Sequence, residues 1–347
     1  MNFSDIFARV VALTGGTALV MRRLTEGSHE PAWGSSPAIP AAKPQGSIPT
    51  LKMPTAKGWT EGQTPVAAPG LTVNAFAAGL DHPRWILVLP NGEVLVAEAM
   101  NMPRAVMRNL FDYAMVSTMR RADAVGVSAN RITLLRDADG DGVAETREVF
   151  LEGLNQPFGM ALLGDTFYVG NTDGLIAFSY TAGASRITGL GDETPPDYLT
   201  SVRDGGFYGW PYCYWGQTVD DRVPRDPAAV AKAITLDYAL CGHTASLGLC
   251  WLPAGTLPGF PEGMAIGQHG SWNRSKLSGY KVVFVPFSNG PIGPPRDILT
   301  GFLAPDERVS YGRPVGVTIV TIGPDGSLLV ADDVGNVIWR VTCKRQR

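Results

Sequence analysis

Four sets of side chains in this sequence of 347 residues have the types and spacing to do chemistry. The first is Asp137-Ala-Asp-Gly-Asp-Gly-Val-Ala-Glu-Thr-Arg-Glu148, which puts Asp137, Asp139, Asp141 and Glu148 at the side-chain positions of an EF-hand-type calcium loop, with Gly142 at the sharp turn. Carboxylates at alternating positions can wrap one hard cation. The flanks Ile132-Thr-Leu-Leu135 and Val149-Phe-Leu151 read as strands, so the expected setting is a hairpin loop. The second set is a pair of histidines, His243 in Cys241-Gly-His-Thr-Ala-Ser-Leu-Gly248 and His269 in Gly267-Gln-His-Gly-Ser-Trp-Asn-Arg274. Both lie among small residues at strand edges, where an imidazole serves either as a proton acceptor or as a hydrogen-bonded structural group. The third is Arg313, ahead of Pro314 and an apolar run, placed to clamp a carboxylate bidentately or to make a surface salt bridge. The fourth is the stretch 196–216, where Phe207, Tyr208, Trp210, Tyr212 and Trp215 alternate with glycines. Such a loop offers flat apolar walls and close backbone approach to a ligand, or else a stiff surface corner.

The elements that must position these groups are short strands in a recurring order. Gly79-Leu-Asp-His-Pro-Arg-Trp85 leads into Ile86-Leu-Val-Leu89, a Pro90-Asn-Gly92 turn and Glu93-Val-Leu-Val-Ala-Glu98. Gly153-Leu-Asn-Gln-Pro-Phe-Gly159 leads likewise into Met160-Ala-Leu-Leu163, a turn and Thr166-Phe-Tyr-Val-Gly170. Gly312-Arg-Pro-Val-Gly316 leads into Val317-Thr-Ile-Val-Thr-Ile322, a turn and Ser327-Leu-Leu-Val-Ala-Asp332. Each copy is a Gly/Pro-bearing lead-in, a strand, a tight turn and a second strand ending in a small or acidic residue. Units of this kind make propeller blades, at roughly 40–50 residues each, and the chain has room for roughly five to six. Residues 102–121, with Val106, Leu110, Ala114 and Met115 at helical spacing, read as an inserted helix.

Composition sets the class. The 41 glycines and 27 prolines punctuate many short segments and disfavour long helices, which points to a β-rich chain. A net charge of -3 with no basic block excludes a nucleic-acid footprint and favours a small, neutral or mildly polar ligand. Cys213, Cys241, Cys250 and Cys343 show no CxxC spacing, against a structural zinc site, and their disulfide state stays open. No Walker loop, GxSxG elbow or HExxH motif occurs. The expected divisions are an apolar segment 1–25, a Pro/Ala-rich arm 26–70 and a propeller domain 71–343. In 1–25 most positive charge follows the apolar run, so an anchor, an atypical signal and an amphipathic helix all stay open.

The stretches Gly79 to Trp85, Asn130 to Gly142, Tyr198 to Tyr212, His269 to Arg274 and Gly312 to Val317 together resemble the sorbosone dehydrogenase family, relatives of the soluble sugar dehydrogenases that use pyrroloquinoline quinone. The resemblance implies a six-bladed propeller with the quinone across its top face, held by arginines and calcium. It implies oxidation of a sugar or sugar-derived aldehyde, an electron acceptor as partner, and work in the periplasm; the apolar segment 1–25 leaves weak membrane attachment through the N-terminus open. By position, Arg313 and Arg274 become cofactor clamps, Trp272, Tyr208 and Trp210 neighbours of the quinone, and Asp192 a residue near the calcium-ligand loop. Between Thr181 and Gly189 the chain lacks the family's Asn-His and Arg-Asn-Pro segments, a deletion of about one blade. His243 or His269 then becomes the expected base, and a non-catalytic carbohydrate-binding propeller is the alternative.

Overall fold

The computed structural model describes residues 32–41, 52–101, 110–163, 166–170, 196–320 and 326–343. They form small antiparallel sheets. The first takes Pro83–Val88, Val94–Glu98, Arg131–Arg136 and Thr146–Leu151 in that spatial order. Its hairpin turns at Gly92, whose φ of +91° only glycine adopts without strain, and the helix Leu110–Arg121 is inserted before its third strand. The pair Gly159–Leu163 and Thr166–Gly170 follows, and then a sheet of Trp33–Gly34, Tyr238–Gly242 and Pro196–Leu199. Ser246–Leu252, Gly263–Gln268, Lys281–Pro286 and Arg296–Thr300 make the next, and the arm adds Val66–Ala67 to its outer edge. The closing sheet is Pro314–Val320, Ser327–Asp332, Val337–Cys343 and, from the other end of the chain, Leu71–Ala78. Strands from early and late in the chain therefore share one sheet, and neither can leave without opening it.

Sequence explains where the core sits. The second strands Val94–Glu98 and Ser327–Asp332 are buried along their whole length, as expected of near-continuous apolar runs covered on both faces. The first strands pack side by side, Pro314–Val320 lying between Pro83–Val88 and Ser246–Leu252. Two glycines permit it. A Cβ on Gly316 would lie 2.6 Å from the carbonyl oxygen of Arg84, and one on Gly248 would collide with that of Val315. The apolar cluster of Leu252, Phe284, Leu328 and Trp339 then ties the last two sheets together, and Ile86, Val96, Leu329 and Ile338 tie the closing sheet to the first.

The described arm alternates two-residue strands with turns, and it runs over the sheets: Thr55–Ala56 pairs in parallel with Val309–Ser310. The expected segment 1–25, the start of the helix at 102–109, and the shortened stretch 181–189 lie outside the described residues. Among the described residues no helix is long and apolar enough to cross a membrane, and none of the four cysteines is in a disulfide. Because the neighbour of Gly316 is backbone rather than a movable side chain, Gly316→Ala is expected to cost about 1–3 kcal/mol of stability. Urea unfolding of the variant beside the wild type measures it.

Candidate functional site

Three sheets begin with the same register. Pro83 pairs with Glu98, Pro314 with Asp332 and Ser246 with Gln268, and in each the ladder shifts just after that pair. The polar side chain ending the second strand ties down its surroundings. Glu98 accepts from Asp81 N, from Thr133 Oγ1 and, at 2.9 Å each, from Nε and Nη2 of Arg131. Asp332 accepts from Arg313 N at 2.7 Å, Gly335 N at 2.8 Å, Trp59 Nε1 at 2.7 Å and Trp339 Nε1 at 3.1 Å. Residues next to these equivalent pairs converge. His82 and Arg313 precede the first strands, Arg84 follows Pro83, and His269 and Asp333 come directly after the second strands.

Asp333 is their common partner. Its buried carboxylate meets Nε2 of His269 at 2.9 and 3.1 Å, Nη1 of Arg84 at 2.7 Å and Nε2 of His82 at 3.5 Å, and its N–H donates to Arg313 O at 3.3 Å. Burial alone would raise the Asp333 carboxyl, but the two imidazoles, protonated in the acid range where it would titrate, and Arg84 hold it well below the usual carboxylate range. Burial lowers both His269 and His82, with Asp333 opposing in each case. At neutral pH the imidazoles are thus uncharged. Since ionised Asp333 only accepts, Nε2 of His269 carries the proton and Nδ1 keeps a lone pair free for a substrate proton. Arg313 is buried with its guanidinium carbon 5.0 Å from the centre of the Tyr280 ring, and its Nε and Nη2 have no hydrogen-bond partner among the described residues. Nδ1 of His82 is buried without one too, on a residue whose φ of +56° is unusual for a side-chain-bearing residue.

Comparison with known proteins gives limited kinship. Residues 67–186 match a family described as a domain of unknown function, DUF7133. An uncharacterised protein of Borreliella burgdorferi is 32% identical over 157 residues, 44% of this chain, and the chain spans only 40% of that protein's length. Solved structures similar to this chain include the holo form of the pyranose dehydrogenase PQQ domain from Coprinopsis cinerea, 17% identical with a TM-score of 0.46, covering 84% of this chain and 100% of that one. Another is a Trichoderma reesei carbohydrate-active enzyme of family AA12, 17% identical with a TM-score of 0.47, covering 86% and 100%. A third is the PQQ-bound aldose sugar dehydrogenase of Streptomyces coelicolor, 14% identical with a TM-score of 0.33, covering 80% and 100%. Likeness of that degree carries no activity across.

Of the residues expected from sequence, the structure brings His269 and Arg313 to the Asp333 cluster. His243 sits half-buried with a φ of +57°, in a turn where Cys241 and Ala245 are also left-handed, and Arg274 is buried nearby in sequence. The aromatic stretch behaves differently from a ligand wall. Tyr208 closes its own loop, its hydroxyl accepting from Arg203 N and donating to Ser201 O at 2.8 Å each, while Trp210 is 69% exposed and Trp272 45%. Among the described residues no hydrogen bond or ring contact joins those three to Asp333. Asp192 lies outside the described residues. His82, Arg84, Asp332 and Asp333 are the groups that sequence reading missed as site residues. The only signal was the repeated acidic end of the second strand.

The carboxylate loop forms as a hairpin, with one correction. Asp137, Asp139 and Asp141 are joined by Glu145, their oxygens within 4.8 Å of one another, and not by Glu148. The strand Thr146–Leu151 starts directly after Glu145 and carries Glu148 into the ladder opposite Leu134, where an EF-hand would have turned back as a helix. Asn74 Nδ2 donates to Gly142 O and Ala144 N to Phe76 O, at 2.8 Å each. The loop is therefore held on the outermost strand of the closing sheet, two strands from the one leading to Asp333. A cation there would staple sheets rather than take part in chemistry at His269.

Calcium is accordingly expected to add about 2.7 kcal/mol of stability at a hundredfold excess over Kd, read as a higher melting temperature. Asp139→Asn should abolish that gain and Glu148→Gln should keep it, as read by calorimetry with and without chelator. The imidazoles predict a pH effect. Unfolded histidines take up protons below their ordinary 6.5 and the buried pair resists, so stability should fall as pH drops through that value. Asp332, pushed by burial up to about 6, and Asp123, also raised by burial, act oppositely in a lower window. His269→Gln should flatten the fall in melting temperature between about pH 7 and about pH 5.5.

Proposed function

We propose that this chain is a quinone-dependent oxidoreductase that oxidises a sugar or sugar-derived aldehyde, of the sorbosone or aldose type, on a propeller scaffold. The observation that carries this reading is the neutral His269, held by buried Asp333, next to an Arg313 whose buried Nε and Nη2 have no partner among the described residues. Those donors fit an acidic quinone such as pyrroloquinoline quinone, whose carboxylate and carbonyl oxygens are acceptors. The motif resemblance over residues 79–85, 130–142, 198–212, 269–274 and 312–317 supports the same class. When bound, the quinone supplies the two-electron sink for the substrate's hydride.

The chain's own groups do the rest. His269 Nδ1 accepts the proton of the substrate hydroxyl, and Asp333 stabilises the imidazolium that results while fixing the ring's tautomer. Arg313 and Arg84 add positive charge where oxygen gains electron density. His82, with Nδ1 buried and unpartnered, is a second polar contact for the bound group. The same reading assigns an external electron acceptor and work in the periplasm.

Reconstitution with pyrroloquinoline quinone and calcium, followed by dye reduction with a panel of aldoses and sorbosone, tests it. His269→Gln should still bind the quinone and lose about 10²–10⁴-fold in kcat. Arg313→Gln should lose quinone affinity. Sugar binding with neither quinone binding nor turnover would replace this reading by a non-catalytic carbohydrate-binding protein.

A further inference from the structure

We propose that Trp59, on the arm that precedes the sheets, is a positioning residue of the Arg313 and Asp333 site, acting through Asp332. The inference rests on the reading of that site given above. Asp332 is buried, and its Oδ1 accepts the backbone N–H groups of Arg313 and Gly335, which lie on the two segments that frame Asp333. Its Oδ2 accepts the indole N–H groups of Trp59 and Trp339. One carboxylate thus links the arm to the backbone of the arginine whose Nε and Nη2 meet no partner among the described residues.

The link has no slack. A Cβ on Gly312 or on Gly335 would collide with the Asp332 carboxylate, and the one on Gly335 would also lie 2.6 Å from Trp59 Nε1. The indole of Trp59 is held edge-on by Phe302 and Trp339, with ring centres 5.6 and 5.3 Å away, and is tilted against Tyr311. The arm has a second hold on the same end of the protein. Lys52 N donates to Trp272 O and Lys52 Nζ to Ser275 O, at 2.9 Å each, and Lys52 also pairs with Glu307.

Comparison inside the molecule separates positioning from ordinary core packing. Glu98 occupies the equivalent register in the first sheet, and it is satisfied by Asp81, Arg131 and Thr133 without any help from the arm. The closing sheet has Trp339 in that role and takes its other indole from Trp59, 273 residues away in sequence. A tryptophan needed only for its apolar bulk would have no reason to aim its N–H at the carboxylate that sets Arg313.

Trp59→Phe in the full chain keeps a ring and removes the donor. The expected result is a small fall in melting temperature, with amide exchange at Arg313 and Gly335 at least about tenfold faster and exchange in Val94–Glu98 unchanged. Phenylglyoxal should modify Arg313 faster, and the Kd for pyrroloquinoline quinone should rise about tenfold. Lys52→Met, which loosens the arm elsewhere, should lower the melting temperature without changing exchange at Arg313 or Gly335. If Trp59→Phe fails to fold, benzothienylalanine at position 59 keeps the bicyclic outline without the N–H and should give the same local changes. Unchanged exchange and Arg313 reactivity, or exchange raised equally in every sheet, would overturn the inference. A wild-type protein that binds no quinone would sink the proposed function alone, because the exchange and phenylglyoxal readouts still decide the role of Trp59.

Discussion

A carboxylate without water is the constraint around which this structure is arranged. Removing an ionised group from solvent is costly unless other charges and donors meet it, and losing one partner of a buried pair costs far more than a surface contact is worth. Asp333 draws its partners from separate parts of the chain: His82 and Arg84 from the first sheet, His269 from the sheet before the closing one, and Arg313 through its carbonyl. Satisfying Asp333 therefore requires three sheets to be assembled in register. The site and the assembly of the sheets are one condition rather than two.

Why those residues meet follows from the repeat. Each of the three sheets places a polar side chain at the end of its second strand, opposite the start of its first, with the ladder shifting next to that pair. Sheets packed side by side bring equivalent positions to the same end, so any chemistry written beside that pair in one sheet faces its counterparts in the others. In this chain the positions after the second strands hold Ala99, His269 and Asp333, and those before the first strands hold His82, Ala245 and Arg313. Alanine stands at two of the six, and the other four supply the base His269, the anchor Asp333, the cation Arg313 and the neutral imidazole of His82.

The local grammar of the fold was legible because it depends on local forces. The glycine turn, the apolar second strands, the hairpin setting of the carboxylate loop and the helix over its described part all follow from period and turn chemistry. The site was legible only in part. His269 and Arg313 stood out as types, but Asp333 reads as one more acid after a strand, and its meeting with His269, 64 residues earlier, is a product of sheet packing. The aromatic stretch carries less information for the opposite reason: ring density reports how adhesive a segment is, not where it points, and the Tyr208 hydroxyl satisfies its own loop. Glu148 failed because the spacing rule assumed a helical exit that the following strand does not provide.

Arg313 shows how such a fold holds binding energy in reserve. A buried guanidinium is normally met by a carboxylate, yet the two acids that hold the Arg313 backbone are otherwise engaged: Asp332 by four N–H groups and Asp333 by Arg84 and the imidazoles. The face of Tyr280 offsets part of the charge but offers no directed acceptor for Nε or Nη2. An unsatisfied buried donor costs about 1–3 kcal/mol, and a ligand oxygen placed there recovers it. Each 1.4 kcal/mol is about tenfold in affinity, so the cost carried by the free protein reappears as selectivity for a ligand with acceptor oxygens at that spot. Removing the guanidinium relieves the free protein and weakens the complex together, which is the opposite of what a structural salt bridge would do.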